Sequence, residues 1–320
     1  RAATPDRDDW LNDGGMHVVL CGTGSPIADP DRANSCTAVL AAGRLFLVDV
    51  GPGSWKNVAL WRLPRAQLRG VLLTHFHSDH MGDLGEVVTQ SWIAGRSEPL
   101  PVFGPPGVGD VVGGFRQAYA ADVGYRNAHH GHEAMPTSAG AAEAVEFAVA
   151  TDGSATVIFD ADGLTIRAFA VDHDPVKPAV GYRFDYAGRS VAISGDTVAS
   201  PNLIMHAKDA DVIVHEALAG HMIEGVSQAL ARRGEKRLAG LTADILDYHA
   251  TPVDAANAAR EAGAKMLVLT HMVPPVPNFL VKRIFLQGTA EAWDGPIVVA
   301  DDGLHLELPA KSDAIHQHQL

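Results

Sequence analysis

The chain has 320 residues, 47% hydrophobic and 20% charged, which is enough apolar material for one large α/β domain or two small ones, with no apolar run long enough to cross a membrane. Its formal net charge of −13, from 38 acidic against 25 basic residues, weighs against a polyanion-binding protein, which ordinarily presents a basic face. The longest basic cluster, Arg232, Arg233, Lys236 and Arg237 with Glu235 inside it, reads as a solvated helix end.

In chain order, residues 1–13 are polar and carry no apolar leader core, and the first residue is Arg1, so the chain reads as processed or trimmed. His17 to Cys21 is a first strand and Thr37 to Ala41 a second, each bordered by one of the two cysteines, Cys21 and Cys36. If these strands pair antiparallel, the two sulfurs can bond; two buried free thiols are the equal alternative. A disulfide favours an oxidising compartment, and a periplasmic or secreted location is placed slightly ahead of a cytoplasmic one. Leu45 to Asp49 follows as a strand, then Val71 to Thr74, which runs into Thr74-His75-Phe76-His77-Ser78-Asp79-His80. Three imidazoles and a carboxylate released at a strand end are ligand types that zinc takes. His75 and His77 can reach one ion from an extended segment, while Asp79 and His80 face a second. Leu84 to Ile93 is helical. Asn127 to Ala161 reads as an insertion, its Ala-rich part Ala139 to Ala150 an inserted helix or loop, and its His129, His130 and His132 as an exposed loop rather than a third metal site.

Further strands are expected at Leu164–Val171, Val180–Phe184, Ser190–Ser194, Asp211–His215, Met266–Thr270 and Ile297–Ala300. Four of them repeat the logic of the first metal string. They end at His173, at Asp196, at His215-Glu216 and at His271, and open α/β sheets bind ligands at the carboxyl ends of their strands. Pro252 to Ala262 is the clearest helix, with Thr251 placed to cap it and Gly263 after it. Early hairpins followed by strands alternating with helices give an α/β fold of two mixed sheets packed together with helices outside. Residues 311–320 read as a loosely held tail, with His316 and His318 in it.

These residues together resemble a metallo-β-lactamase-fold hydrolase, within the branch of ribonuclease Z, phosphodiesterases and arylsulfatases. Leu20-Cys21-Gly22-Thr23-Gly24-Ser25-Pro26, Phe46-Leu47-Val48-Asp49-Val50-Gly51, Phe103-Gly104-Pro105-Pro106-Gly107 and Gly181-Tyr182-Arg183 also look like family segments, while Met272-Val273-Pro274 departs from the family sequence. The resemblance implies a four-layer αββα sandwich over residues 14–310, with insertions near 127–161 and 218–248. It implies two zinc ions per chain (Mn2+ or Fe2+ as substitutes): His75, His77 and His173 on the first, Asp79, His80 and His271 on the second, and Asp196 bridging. Asp79 would orient or deprotonate the nucleophile, a metal-activated hydroxide. Glu216 and His249, matching the branch's paired motifs, would be orienter and proton donor or phosphoryl clamp. Asp49 is either an acceptor fixing a ligand imidazole or a strand-end turn carboxylate, and His215 reads as structural.

Between the Gly-Tyr-Arg-Phe segment and Ser194 lie only Asp185 to Ile193, where ribonuclease Z proteins typically carry a long tRNA-gripping arm. With the acidic charge, this short stretch favours a small phosphate or sulfate ester as substrate and no nucleic-acid or membrane partner. The alternatives are lactone or β-lactam hydrolysis, tRNA 3′ processing and a non-catalytic metal-binding role; a homodimer is compatible with all of them. The 218–248 segment is expected to form a lid or wall over the site.

Overall fold

The computed structural model describes residues 6–320. Its strands are β1 (Met16–Gly22), β2 (Cys36–Ala41), β3 (Arg44–Val48), β4 (Leu68–Leu72), β5 (Leu100–Gly104), β6 (Ala142–Glu146), β7 (Thr156–Ala161), β8 (Leu164–Ala170), β9 (Val180–Tyr186), β10 (Arg189–Ile193), β11 (Val212–Leu218), β12 (Met266–Val273), β13 (Ile297–Val299), β14 (Leu304–Leu308) and β15 (His316–Gln319). They form two mixed sheets, ordered β15-β14-β1-β2-β3-β4-β5-β6 and β13-β12-β11-β10-β9-β8-β7.

Strand periodicity explains the layering. On β1, Met16, Val18 and Leu20 face inward and meet Ile166, Tyr182, Phe184 and Val214 of the other sheet in one buried cluster. The alternate residues, Val19 and Cys21, face outward with Leu45 and Leu47 and pack under the helices Ser54–Leu60, Leu84–Ile93 and Val108–His130. The second sheet does the same, with Ala192, Ile213, Leu267 and Leu269 covered by Ala255, Ala256, Ala259 and Ala262 of the helix Pro252–Ala262. The result is the four-layer αββα sandwich.

The helix Pro252–Ala262 forms where expected. Asp254 N donates to Thr251 Oγ1 at 3.1 Å and Thr251 N donates to the Asp254 carboxylate at 2.9 Å, a reciprocal cap, and Gly263 closes the far end at φ 69°. Among the described residues no helix is long and apolar enough to cross a membrane.

Several expectations are corrected. Ala139 to Ala150 is not an inserted helix or loop: it contains β6, which extends the first sheet beside β5. Its residues are half exposed at a sheet edge, so they lack the apolar run that marks a buried strand. β7 likewise edges the second sheet. The 311–320 tail is not loose, because β15 pairs antiparallel with β14. Of the 1–13 tail, residues 1–5 lie outside the described residues, while Asp8–Leu11 is a short 3-10 helix whose Trp10 ring stacks on His17 and His305. β1 and β2 do pair antiparallel, but Cys21 and Cys36 are both free and buried. Burial, with Cys21 beside it, holds the Cys36 thiol well above its ordinary value, so it is not a ready nucleophile.

His305 sits in a stack between Trp10 and His318, with its Nε2 2.9 Å from His17 Nδ1. Burial, then the neighbouring imidazoles, lower its pKa to about 3. The unfolded chain titrates this group near pH 6.5, so its contribution is complete above that pH. It is lost as pH falls through the window down to about 3, at up to about 1.4 kcal/mol per unit. We expect His305→Phe to reduce the stability lost between pH 7 and pH 5 by roughly 1–2 kcal/mol, read from urea midpoints. Parallel losses in both proteins would refute the assignment.

Candidate metal centre

Parallel strands carry the functional residues to one edge. In the first sheet β3 and β4 run parallel into Asp49 and the Thr74–His80 loop; in the second, β10, β11 and β12 run parallel, with Asp196 just past β10 and Glu216 and His271 two residues before the ends of β11 and β12. β8 leads to His173. The two sheets thus deliver their carboxyl ends face to face.

Two local distortions aim these side chains. Opposite Glu216 and Ala217 the β11–β12 register skips His271, which bulges out of β12 at φ 45°. A bulge re-aims a side chain and is common beside active sites. Gly51 lets the β3 loop press against the histidine string: a Cβ there would stand 2.1 Å from the Asp79 carbonyl oxygen.

The residues expected as ligands come together. His75, His77, His173 and Asp196 each offer a donor atom within 4.8 Å of the others, as do Asp79, His80 and His271; Asp196, His249 and His271 form a third, overlapping group. Asp196 Oδ2 is the shared point, 3.3 Å from His80 Nε2, 3.5 Å from His271 Nε2, 3.8 Å from His75 Nε2 and 3.9 Å from His173 Nε2. His80 Nε2 and His173 Nε2 are buried with no hydrogen-bond partner among the described residues. Buried orphan donor atoms are costly, and clustered imidazoles and carboxylates satisfied by a cation remove that cost. The donor set fits two metal ions.

Neighbours set the ligand tautomers. His80 Nδ1 donates to Asp49 Oδ2 at 2.8 Å, and Asp49 also accepts from Thr74 N and Thr74 Oγ1, both at 2.9 Å. Asp49 is therefore the acceptor that fixes the His80 imidazole, and not only a strand-end turn carboxylate. His173 Nδ1 donates to the Tyr248 carbonyl at 2.8 Å, leaving its Nε2 free to bind. Tyr248 escaped the sequence reading, since a backbone acceptor carries no residue-type signal; its place directly before His249 was the one available hint.

The electrostatics suit cation binding. Burial, then His80, hold His75 well below the ordinary imidazole value, and burial lowers His77 and His173. Neutral imidazole is the ligand form. Burial would lower His80 too, but Asp196 and Asp49 outweigh it and raise it well above that value. Burial would raise both carboxyls. His271 and His80 instead keep Asp196 well below the usual carboxylate range, and a hydrogen bond from His271 Nε2 at 3.1 Å helps lower Asp79.

Beside this cluster, His249 Nδ1 donates to Glu216 Oε1 at 3.0 Å, and Thr197 N and Ala250 N donate to the same oxygen at 3.1 Å each. Burial opposes the charge on His249, but Glu216 overrides it and raises the pKa to about 9. His215 turns away and bonds the Glu216 carbonyl at 2.7 Å, as a structural residue does. His129, His130 and His132 are exposed and belong to no group of three ligating side chains among the described residues.

The 218–248 segment folds as a helical hairpin, Gly220–Arg232 and Lys236–Asp244. Past its second helix, Tyr248 packs on His173 and His249. The Val273-Pro274 peptide that follows His271 is cis.

A two-sheet sandwich with clustered metal-ligating side chains at its strand ends defines a metallo-β-lactamase-fold hydrolase with a metal-binding site. The model of the beta-lactamase superfamily domain matches residues 44–272. The chain is 39% identical over 264 residues to a protein named Ribonuclease Z from Mycobacterium marinum, a match covering 82% of this chain and 88% of that one. It is 40% identical over 308 residues to one of the same name from Mycolicibacterium paratuberculosis, covering 93% of this chain and 100% of that one. The fold is shared with the short form of human tRNase Z (19% identity, TM-score 0.66, covering 92% of this chain and 99% of that one). It is shared also with the metallo-β-lactamase fold protein YhfI of Bacillus subtilis (20%, TM-score 0.64, 92% and 99%). The chain belongs to the β-lactamase superfamily and, within it, to the ribonuclease Z family.

This corrects the expected function and partners, a small phosphate or sulfate ester with no nucleic acid: relatives matched over most of their length are named for a ribonuclease. Both grounds for that expectation fail. A match of 264 positions that fills 82% of the 320 residues here leaves no room inside it for a long arm in the relative. Net charge is a sum over the surface, whereas binding responds to local field.

Proposed function

We propose that this protein is a zinc-dependent endoribonuclease that cuts a phosphodiester in the 3′ extension of a precursor tRNA. The observation that carries the reading is the 39–40% identity to proteins named Ribonuclease Z. The tRNase Z fold neighbour and the His249–Glu216 pair support it.

In this reading His75, His77 and His173 hold one ion, Asp79, His80 and His271 the other, and Asp196 both. When bound, two zinc ions supply positive charge that polarises a phosphoryl oxygen and makes water nucleophilic at neutral pH. The remaining work falls to the chain. The Asp79 carboxylate would take up the proton of the attacking water. As the new P–O bond forms and the old one breaks, protonated His249 gives its Nε2 proton to the leaving alkoxide, or holds a phosphoryl oxygen beside it. Glu216 keeps that imidazole charged and aimed. An RNA alkoxide is a poor leaving group, which is why a positioned acid matters.

The test is cleavage of a 3′-extended precursor tRNA by metal-loaded protein. One endonucleolytic cut is expected, abolished by a chelator and restored by zinc. An intact precursor after incubation with protein holding two ions per chain would overturn the proposal.

A further inference from the structure

The 220–244 hairpin ends in a basic tip. Arg232 and Arg233 close its first helix, Gly234 and Glu235 make the turn, and Lys236 and Arg237 open its second helix. All four cations are exposed, and among the described residues no carboxylate lies within ion-pair distance of any of them. In a chain of net charge −13 this is a local excess of positive charge.

Helix stability does not account for it. Cations at a helix C-terminus complement the dipole, so Arg232 and Arg233 have a structural rationale. Lys236 and Arg237 occupy the first turn of Lys236–Asp244, which has no acidic residue, and there the dipole disfavours positive charge. Nor is the tip loosely attached. Ser227 Oγ donates to the Ala239 carbonyl at 2.8 Å, tying the two helices together, and Ile223 is buried against Leu218 and Val273. At the root, Leu218 N donates to the Ala250 carbonyl at 2.8 Å and Ala219 N to the Val273 carbonyl at 2.7 Å, so the hairpin is fixed to the strands that bear Glu216 and His271. A helix of 13 residues is ~20 Å long. The tip therefore stands up to ~20 Å along the hairpin from its root on the strand that bears Glu216, several nucleotides along a strand. That is beyond a scissile dinucleotide and within reach of the folded body of an RNA.

From this placement we infer that the tip of the 220–244 hairpin, through Arg232, Arg233, Lys236 and Arg237, grips the phosphate backbone of the RNA substrate at a distance from the cut. The inference rests on the ribonuclease reading.

The experiment compares wild type with Arg232→Gln/Arg233→Gln/Lys236→Gln/Arg237→Gln, both metal-loaded. Cleavage is followed on a 3′-extended precursor tRNA, and binding on the same RNA carrying a non-hydrolysable linkage at the junction of its extension. Bis(4-nitrophenyl) phosphate serves as a reporter that touches only the centre. Reporter turnover should be unchanged. RNA affinity should fall on the order of 10²-fold in 0.15 M salt, with the slope of log affinity against log salt shallower by about 3, while kcat at saturation holds. The charge-keeping variant Arg232→Lys/Arg233→Lys/Arg237→Lys should bind within a few fold of wild type. Unchanged affinity and slope in the Gln variant would overturn the inference while precursor cleavage by wild type upheld the enzyme reading. An equal loss in the Lys variant would overturn it as well. Tip-dependent binding of RNA that wild type never cuts would support the tip and sink the ribonuclease reading; no RNA binding by wild type would sink both.

Discussion

Asp196→Ala should reduce bound metal from about two ions per chain to fewer than one, and lower precursor cleavage by at least ~10³-fold. One oxygen of Asp196 lies 3.3–3.9 Å from ring nitrogens of His80, His271, His75 and His173, so its loss opens both halves of the centre together. It also removes the buried negative charge that offsets two dications in a site crowded with imidazoles. Asp49→Asn provides the contrast. Asp49 touches His80 only through Nδ1, on the side away from the cluster, so weakening that hydrogen bond should cost about 10–100-fold in affinity for one ion and leave the other in place. Metal content by elemental analysis, with stepwise zinc titration, separates the two. Equal stoichiometry in Asp196→Ala and wild type would remove Asp196 from the bridging position.

His249→Ala should keep both metals and slow RNA cleavage by about 10²–10⁴-fold, the range for a lost general acid. Activated aryl esters, whose leaving groups need no proton, should lose far less. Equal losses on both substrates would eliminate proton donation and leave only a phosphoryl clamp. The pH profile gives a second reading. Glu216 keeps His249 protonated against its burial, up to about pH 9. Because the charged form is the donor, activity should fall as pH rises through the pKa; nearby dications oppose the charge, so the limb lies at or below that value. In Glu216→Gln the raising charge is gone, so the basic limb should move to lower pH with the metals still bound. A limb that stays in place in Glu216→Gln would show that His249 does not set it.

Much of the centre was legible because its ligands obey local rules. His75, His77, Asp79 and His80 share one short extended-to-helical run, so spacing alone brings them together. His173, Asp196 and His271 each follow an apolar strand. The caps of Pro252–Ala262 were equally readable, since Thr251, Pro252 and Gly263 act within a turn of their own position. Three of the four edge strands were not: β6, β7 and β15 are half or fully exposed and lack the apolar signature of β10 or β11.

Sequence by itself determined the class of chemistry, the seven candidate ligands and the two-sheet layering, because residue type, spacing and strand alternation are local quantities. Tertiary structure decided how they are used. The bulge that turns His271 inward, the Tyr248 carbonyl that orients His173, the Asp49 acceptor behind His80 and the anchoring of the hairpin root depend on partners far away along the chain. Distance in space, not order in sequence, sets a hydrogen bond or a local field. Composition therefore misled about the partner, because a net charge is a total and carries no record of where on the surface charge gathers.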